Sequence, residues 1–296
     1  MNTVWSTYIQ KIPTLYLTRS LRFSDRYKEK YMTAFAIDSQ KSLLEIGCGP
    51  GALTEALARW YPEMQVCGCD RDTNFIRFAR EKTPNIPFFE EDATKLSFAD
   101  ESFEVTISNT VSEHIEPSAF YGEQYRVLKH GGVCLVLSGR RGIVHNAPCV
   151  SETSELEKEI WSRVSAVCEE MDRKNAVCAY PMNEMEMPKA MERHGFHDIS
   201  TEYLTVNLTP DHPCFSREEA FAIIESHRAS ALNGIDIMKD TVGNMVSADE
   251  IAEMERLTNA RYDKRIALYD AGIKQWDTYM SLTMVLRGVK WCWRWI

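Results

Sequence analysis

Leu43-Leu44-Glu45-Ile46-Gly47-Cys48-Gly49-Pro50-Gly51 runs from a short apolar stretch holding one acid into three glycines at alternate positions. Residues 42–47 read as a strand, and residues 52–59 have helical spacing, with Leu53 and Leu57 on one face. Strand, glycine turn and helix form the first unit. Glycines in such a turn let the backbone reverse tightly, approach a ligand closely and open onto a helix N-terminus.

The same rhythm extends outward. Residues 65–70 (QVCGCD) read as a second strand ending in an acid, followed by a helix over 73–82 with Phe75, Ile76 and Ala79 inward. Residues 86–90, 103–108 and 132–138 read as the third, fourth and fifth strands, the fifth after a helix that includes Tyr125 and Leu128. Strands separated by helices predict a parallel sheet covered on both faces, with ligands at the carboxyl ends of the strands. Beyond residue 138 the pattern changes. Residues 139–142 read as a turn or loop, and 153–173 as a helix with Leu156, Ile160, Val164 and Val167 on its apolar side. A helix over 182–196 stopped by Gly195 and a strand over 197–206 follow. Helices over 216–230 and 247–271 come next, the latter with the capping-box spacing of Ser247 and Glu250, and a strand over 279–289 closes the chain.

Composition narrows the function classes. With 296 residues, 44% of them hydrophobic, the chain can bury a full core. A net charge of -9 supplies no global positive field for nucleic acid or an anionic membrane surface. Apolar runs are strand-sized rather than the ~20 residues of a membrane span, and the N-terminus does not read as a signal peptide, so the expected location is cytoplasmic. The nine cysteines form no C-x-x-C pair and read as free, mostly buried thiols. A soft-metal trio of Cys149, Cys168 and Cys178 is the sharper alternative, at undiagnostic spacing.

The glycine turn alone is ambiguous, because Gly47-x-Gly49-x-x-Ala52 also satisfies a loose dinucleotide pattern. Glu45 discriminates: a pyrophosphate gains nothing from a carboxylate there, whereas a ligand with an ammonium and a sulfonium does. Asp70 ends the second strand 19 residues after Gly51, where a carboxylate can accept two ribose hydroxyls. Glu91-Asp92-Ala93 follows the third strand, where an acid can accept from an exocyclic amine.

With these motifs the chain resembles the class I S-adenosylmethionine-dependent methyltransferases, in particular the branch of the ubiquinone and menaquinone C-methyltransferases. LLEIGCGPG, Asp70, EEDATKLSFADESFEVTISN (Glu90 to Asn109) and YRVLKHGGVCLVLS (Tyr125 to Ser138) carry the resemblance. It covers residues 41–139, extends to MEMPKAMERHGF and the final strand, and includes neither long insertion. It implies an α/β Rossmann-like sheet, mostly parallel with an antiparallel last strand, and helical cap insertions. The cofactor-binding core would comprise residues 41–143, 181–206 and 277–290. Residues 1–40, 144–180 and 207–276 would form the cap, and residues 291–296 a tail. The resemblance places Gly47, Gly49 and Gly51 against the methionine and ribose part of S-adenosylmethionine, Glu45 at its ammonium and Asp70 at the ribose hydroxyls. Arg71 would lie beside the adenine, Asp92 and Ala93 at the adenine edge, and Ser108 and Asn109 at the sulfonium end.

The acceptor is less legible. An enclosed cap points to a small molecule, contacted by the insertions and by Trp5, Tyr8, Tyr16, Arg22 and Tyr27. His114, in Ser112-Glu113-His114-Ile115-Glu116, is the candidate general base; with Glu113 it resembles part of a metal pair whose upstream acid is missing, so no metal is expected. Met182, Met185, Met187 and Met191 read as core or a ligand surface. Trp291, Trp293 and Trp295 read as a packed tail, a contact or an interfacial grip. Two rivals to an enzyme of this class are a non-catalytic cofactor-binding protein and a nicotinamide-dependent oxidoreductase.

Overall fold

The computed structural model describes residues 4–139, 145–146 and 152–291. Among them eight strands form one sheet: β1 (Ser42–Ile46), β2 (Gln65–Asp70), β3 (Phe88–Glu90), β4 (Phe103–Asn109), β5 (Leu128–Gly139), β6 (His145–Asn146), β7 (Phe196–Asn207) and β8 (Tyr279–Lys290). The order β3-β2-β1-β4-β5 is parallel throughout, and β8 then pairs antiparallel with β5, β6 and β7. This is the mostly parallel sheet with an antiparallel last strand that the sequence leads one to expect.

Strand alternation sends side chains to two covered faces. Leu43, Val105, Ile107, Leu135 and Val285 pack with Phe23, Tyr31, Leu57 and Ile223 on one face. Leu44, Ile46 and Cys69 on the other pack with Val127, and Val136, Met284 and Leu286 with Tyr121, Met187 and Met191. Each such side chain contributes about 1.5 to 3 kcal/mol when taken fully out of water.

The helices are α1 (Ile12–Arg22), α2 (Lys28–Phe35), α3 (Ala52–Trp60), α4 (Thr73–Lys82), α5 (Pro117–Val127), α6 (Glu155–Lys174), α7 (Glu186–Arg193), α8 (Arg217–Val242) and α9 (Ala248–Asp270), preceded by a π-helical turn (Trp5–Ile9). Two boundaries and one buried face differ from expectation in ways that bear on packing. Leu128 starts β5 rather than ending a helix, because Gly131 at φ 78° lets the strand begin upstream and rejoin the β4 ladder after a register shift. Helix α8 runs on to Val242, its Gly234 lying against the ring of Trp161. On α6, Leu156 is exposed and Glu157 is buried instead, accepting from Arg261 of α9 at 2.6 Å while capping its own helix through Ser154.

Ile160 and Val164 of α6 pack with Ile235 and Met238 of α8 and Met254 of α9. Buried Arg265 pairs with Asp211 at 2.9 Å and Asp277 at 2.6 Å, tying the end of α9 to the start of β8. Val144, Cys149, Cys292, Trp293 and Trp295 lie outside the described residues, as do residues 140–142 and most of the tail; Gly139, expected to open the turn, ends β5 instead.

Candidate active site

Three strand ends converge where β1 meets the glycine turn. Gly47 has φ 71°, and a Cβ there would lie 2.5 Å from Val111 Cγ2, so only glycine lets the turn pack against the Val111 side chain. Gly51, at φ 87°, is the N-cap of α3; a Cβ would meet the ring of Phe88 at 2.9 Å. The turn is anchored to β2: Gly47 N donates to Cys69 O at 2.8 Å, and Gly49 N to Asp70 Oδ2 at 2.9 Å.

Asp70 also accepts from Asp72 N at 2.8 Å, and the helix cap of α4 is Asp72 itself, which receives Asn74 N and Phe75 N. Glu45 is buried and accepts from the Thr54 hydroxyl. Burial pushes the Glu45 carboxyl up to about 8 and Asp70 up to about 6. Among the described residues neither has a cation within ion-pair distance. Asp92, following β3, accepts from the backbone N–H and hydroxyl of Thr94; burial raises its pKa, but these hydrogen bonds outweigh it and hold the carboxyl below its usual range.

These groups border a cavity of about 630 Å³ at the carboxyl end of the sheet. Of the residues singled out from the sequence, Glu45, Gly47, Gly49, Asp70, Arg71, Asp92, Ala93, Asn109 and His114 line it. Gly51 and Ser108 do not. Gly51 lies behind the turn against Phe88 and Ala79, and Ser108 is fully buried because strand alternation turns it to the face opposite Asn109.

His114 lies on a 3-10 turn (Ser112–His114), and its Nδ1 accepts from Cys178 N at 2.9 Å. Nδ1 is engaged by that backbone N–H and is therefore not the atom that would take an acceptor's proton. The Trp5 ring meets it edge-on, centroids 4.7 Å apart, and Tyr180 N donates to Glu113 O at 3.0 Å. The cavity is thereby walled by the N-terminal turn and by the chain after α6.

Of the five N-terminal residues expected at the acceptor, Trp5 lines the cavity. Tyr8 is exposed, while Tyr16, Arg22 and Tyr27 bond to Glu55, Tyr279 and the Asn207 carbonyl. Arg19 and Thr110 line it without having been foreseen. Thr110 carried a usable signal only in three dimensions: a β-branched residue at φ 55° just after β4 is strained. Met187 and Met191 are core and Met185 is exposed. No group of three metal-ligating side chains occurs among the described residues, and no helix there is long and apolar enough to cross a membrane.

Residues 44–136 match the methyltransferase domain family. The chain is 34% identical over 101 residues to a demethylmenaquinone methyltransferase of Chlorobaculum parvum, covering 34% of this chain and 42% of that protein. It is 36% identical over 98 residues to a ubiquinone/menaquinone biosynthesis C-methyltransferase of Desulfotalea psychrophila, covering 32% and 40%. A malonyl-[acyl-carrier protein] O-methyltransferase of Herminiimonas arsenicoxydans is 27% identical over 160 residues, covering 54% of each chain. The chain thus spans about half or less of the length of these relatives. Among solved structures, a Haemonchus contortus phosphoethanolamine N-methyltransferase 2 in complex with S-adenosyl-L-methionine aligns at TM-score 0.49 and 21% identity, over 90% of this chain and 53% of that one. Residues 44–136 thus match a methyltransferase domain, and this part of the chain resembles the class I S-adenosylmethionine-dependent methyltransferases of the ubiquinone and menaquinone branch.

Proposed function

We propose that the chain binds S-adenosylmethionine at the glycine turn and transfers its methyl group to a small-molecule acceptor in the same cavity. One observation carries this reading: Glu45 and Asp70, two enclosed carboxyl groups without a cation partner among the described residues, face a cavity beside a turn that only glycine can form. Asp70 suits the ribose hydroxyls of either cofactor, so Glu45 discriminates: a pyrophosphate gains nothing from a carboxyl group there, whereas an ammonium draws it into its ionised form. The site residues then divide the ligand: Glu45 at the ammonium, Gly47 and Gly49 against the chain and ribose, Asp70 at the ribose hydroxyls. Asp92, Ala93 and Arg71 lie at the adenine and Asn109 near the sulfonium, with Gly51 shaping the turn from behind.

When bound, the cofactor supplies a methyl group already activated on a positively charged sulfur. What remains for the protein is alignment and exclusion of water, and alignment alone can be worth about 7 to 11 kcal/mol. In this reading the cover over the acceptor space is the N-terminal segment, with Trp5, and the chain after α6, with Tyr180, while α6, α8 and α9 pack on one another without lining the cavity. A small acceptor in an aqueous, cytoplasmic setting fits the net charge of -9 better than nucleic acid does.

Calorimetry tests the cofactor assignment. S-Adenosylhomocysteine should bind with one site per chain, NAD should not compete, and chelators should leave methyl transfer intact. Saturable NAD binding with no binding of either sulfur nucleoside would remove the reading. The non-catalytic alternative is addressed by turnover across phenol, amine, carboxylate and carbon-acid acceptors.

A further inference from the structure

Arg22, on the last turn of α1, donates to the Tyr279 hydroxyl at the start of β8, with its guanidinium 5.7 Å from the centre of that ring. No carboxylate among the described residues lies within ion-pair distance of it, and the remaining residues of the chain contain no Asp or Glu. Arginines of the neighbouring helices are treated differently: Arg261 rests on Glu157 at 2.6 Å, and Arg265 on Asp211 and Asp277. Asp277, the acid whose charge reaches His227, is thus already taken. The charge that Arg22 does meet is a like one, Arg19 one turn earlier.

Open hydrogen-bonding groups gather on the same side. The His227 ring of α8 meets the Tyr279 ring edge-on, centroids 5.2 Å apart, and its Nε2 is buried with no hydrogen-bond partner. Burial lowers the His227 pKa, Asp277 raises it and Arg22 lowers it, the balance falling below the usual range. Ser281 is two residues beyond Tyr279 and so on the same strand face; it is 6% exposed, and its Oγ has no partner either. The Tyr279 hydroxyl accepts from Arg22 and keeps its own proton to donate. Buried polar groups are ordinarily satisfied, and a guanidinium with hydroxyl and imidazole groups left open around it is the donor set of an oxyanion site.

We propose that Arg22, Tyr279, His227 and Ser281 form an oxyanion site that takes a carboxylate or phosphate group of the methyl acceptor. The site stands on the side chains just described, and its assignment to the acceptor rests on the methyl-transfer reading above. Placement supports that assignment. Arg19 and Phe23, on either side of Arg22, line the cavity. Thr283 pairs with Gly139 at the end of β5, so Tyr279 and Ser281 stand beyond the carboxyl end of that strand, the end where the cavity lies. In the order β3-β2-β1-β4-β5-β8 they are also separated by β4 and β5 from the strand that carries Glu45. An anion held here is kept away from Glu45 and Asp70, whose charges would repel it, while the reacting end of the same molecule reaches the cavity.

Thermal melting of the full chain in phosphate, acetate and chloride at equal ionic strength, with and without S-adenosylhomocysteine, tests the site. Phosphate or acetate should stabilise the unsubstituted protein saturably relative to chloride, and the more effective of the two identifies the class of group. Arg22→Gln should raise the half-saturating concentration by about tenfold or more, Arg22→Lys by less, and Tyr279→Phe by less than Arg22→Gln. Affinity for S-adenosylhomocysteine should be unchanged in all three variants, which also shows that they are folded. Equal stabilisation by the three salts, or a response that survives both Arg22→Gln and Tyr279→Phe, would overturn the site. Competition between the anion and S-adenosylhomocysteine would overturn its assignment to the acceptor, as would turnover of a neutral acceptor with the same KM in Arg22→Gln. Failure of the unsubstituted protein to bind S-adenosylhomocysteine would remove the methyl-transfer reading, and the anion response would then decide the site by itself.

Discussion

Asp70→Ala should weaken S-adenosylhomocysteine binding by roughly 10- to 150-fold, the loss expected for charge-assisted hydrogen bonds worth about 1.5 to 3 kcal/mol. The side chain has two tasks. It takes Gly49 N and Asp72 N, fixing the glycine turn against β2, and it leaves lone pairs turned to the cavity for ribose hydroxyls. Alanine removes both and strands two backbone N–H groups. Asp70→Asn keeps the shape and one acceptor oxygen, so its loss should be smaller. Because the cap of α4 is Asp72, the substitution should leave that helix capped, and far-ultraviolet circular dichroism should be unchanged. Binding within twofold of the original protein, by calorimetry, would assign Asp70 to the turn alone.

That site could be anticipated in outline because its parts are local. A strand, a glycine turn and a helix lie within eighteen residues, and Asp70 and Asp92 each stand at the end of a strand legible from its own apolar pattern. What could not be read depends on contacts between distant segments. Nothing in TLYLTRSLR distinguishes Arg19 from Arg22; the difference is made by Thr110, across the chain, which takes one, and Tyr279, which takes the other. The tautomer of His114 is set by the backbone of Cys178, beyond the reach of any motif. Ser108 is a different case, since strand parity alone puts it and Asn109 on opposite faces. On α6, Leu156 and Glu157 exchanged places because an acid can be buried once it caps its own helix and meets Arg261, an arrangement spacing rules do not see.

Glu45→Gln should move stability and binding in opposite directions, both as functions of pH. In the folded, ligand-free protein burial holds the Glu45 carboxyl at about 8, above its ordinary 4.5, so the fold prefers the protonated form. The sign follows from linkage: the unfolded chain releases this proton near its ordinary value while the folded chain retains it, so stability is fully present below the ordinary range and is lost as pH rises toward 8. Glutamine is neutral throughout and can still accept from Thr54. At pH 9 the variant should therefore melt at a higher temperature than the original, and near pH 4 the two should coincide. Binding an ammonium reverses the preference, because only the ionised carboxylate attracts it. Below pH 8 the cofactor must then expel a proton, and affinity for S-adenosylmethionine should rise by up to about tenfold per pH unit as that proton is lost. The variant should bind more weakly above pH 8, by about tenfold or more, and lack this slope. Asp70, held at about 6, adds a second step at lower pH that both proteins share. Calorimetry in buffers of different ionisation enthalpy counts the released protons directly. Equal proton release by both proteins at pH 7 would show that Glu45 neither holds the proton nor meets the ammonium.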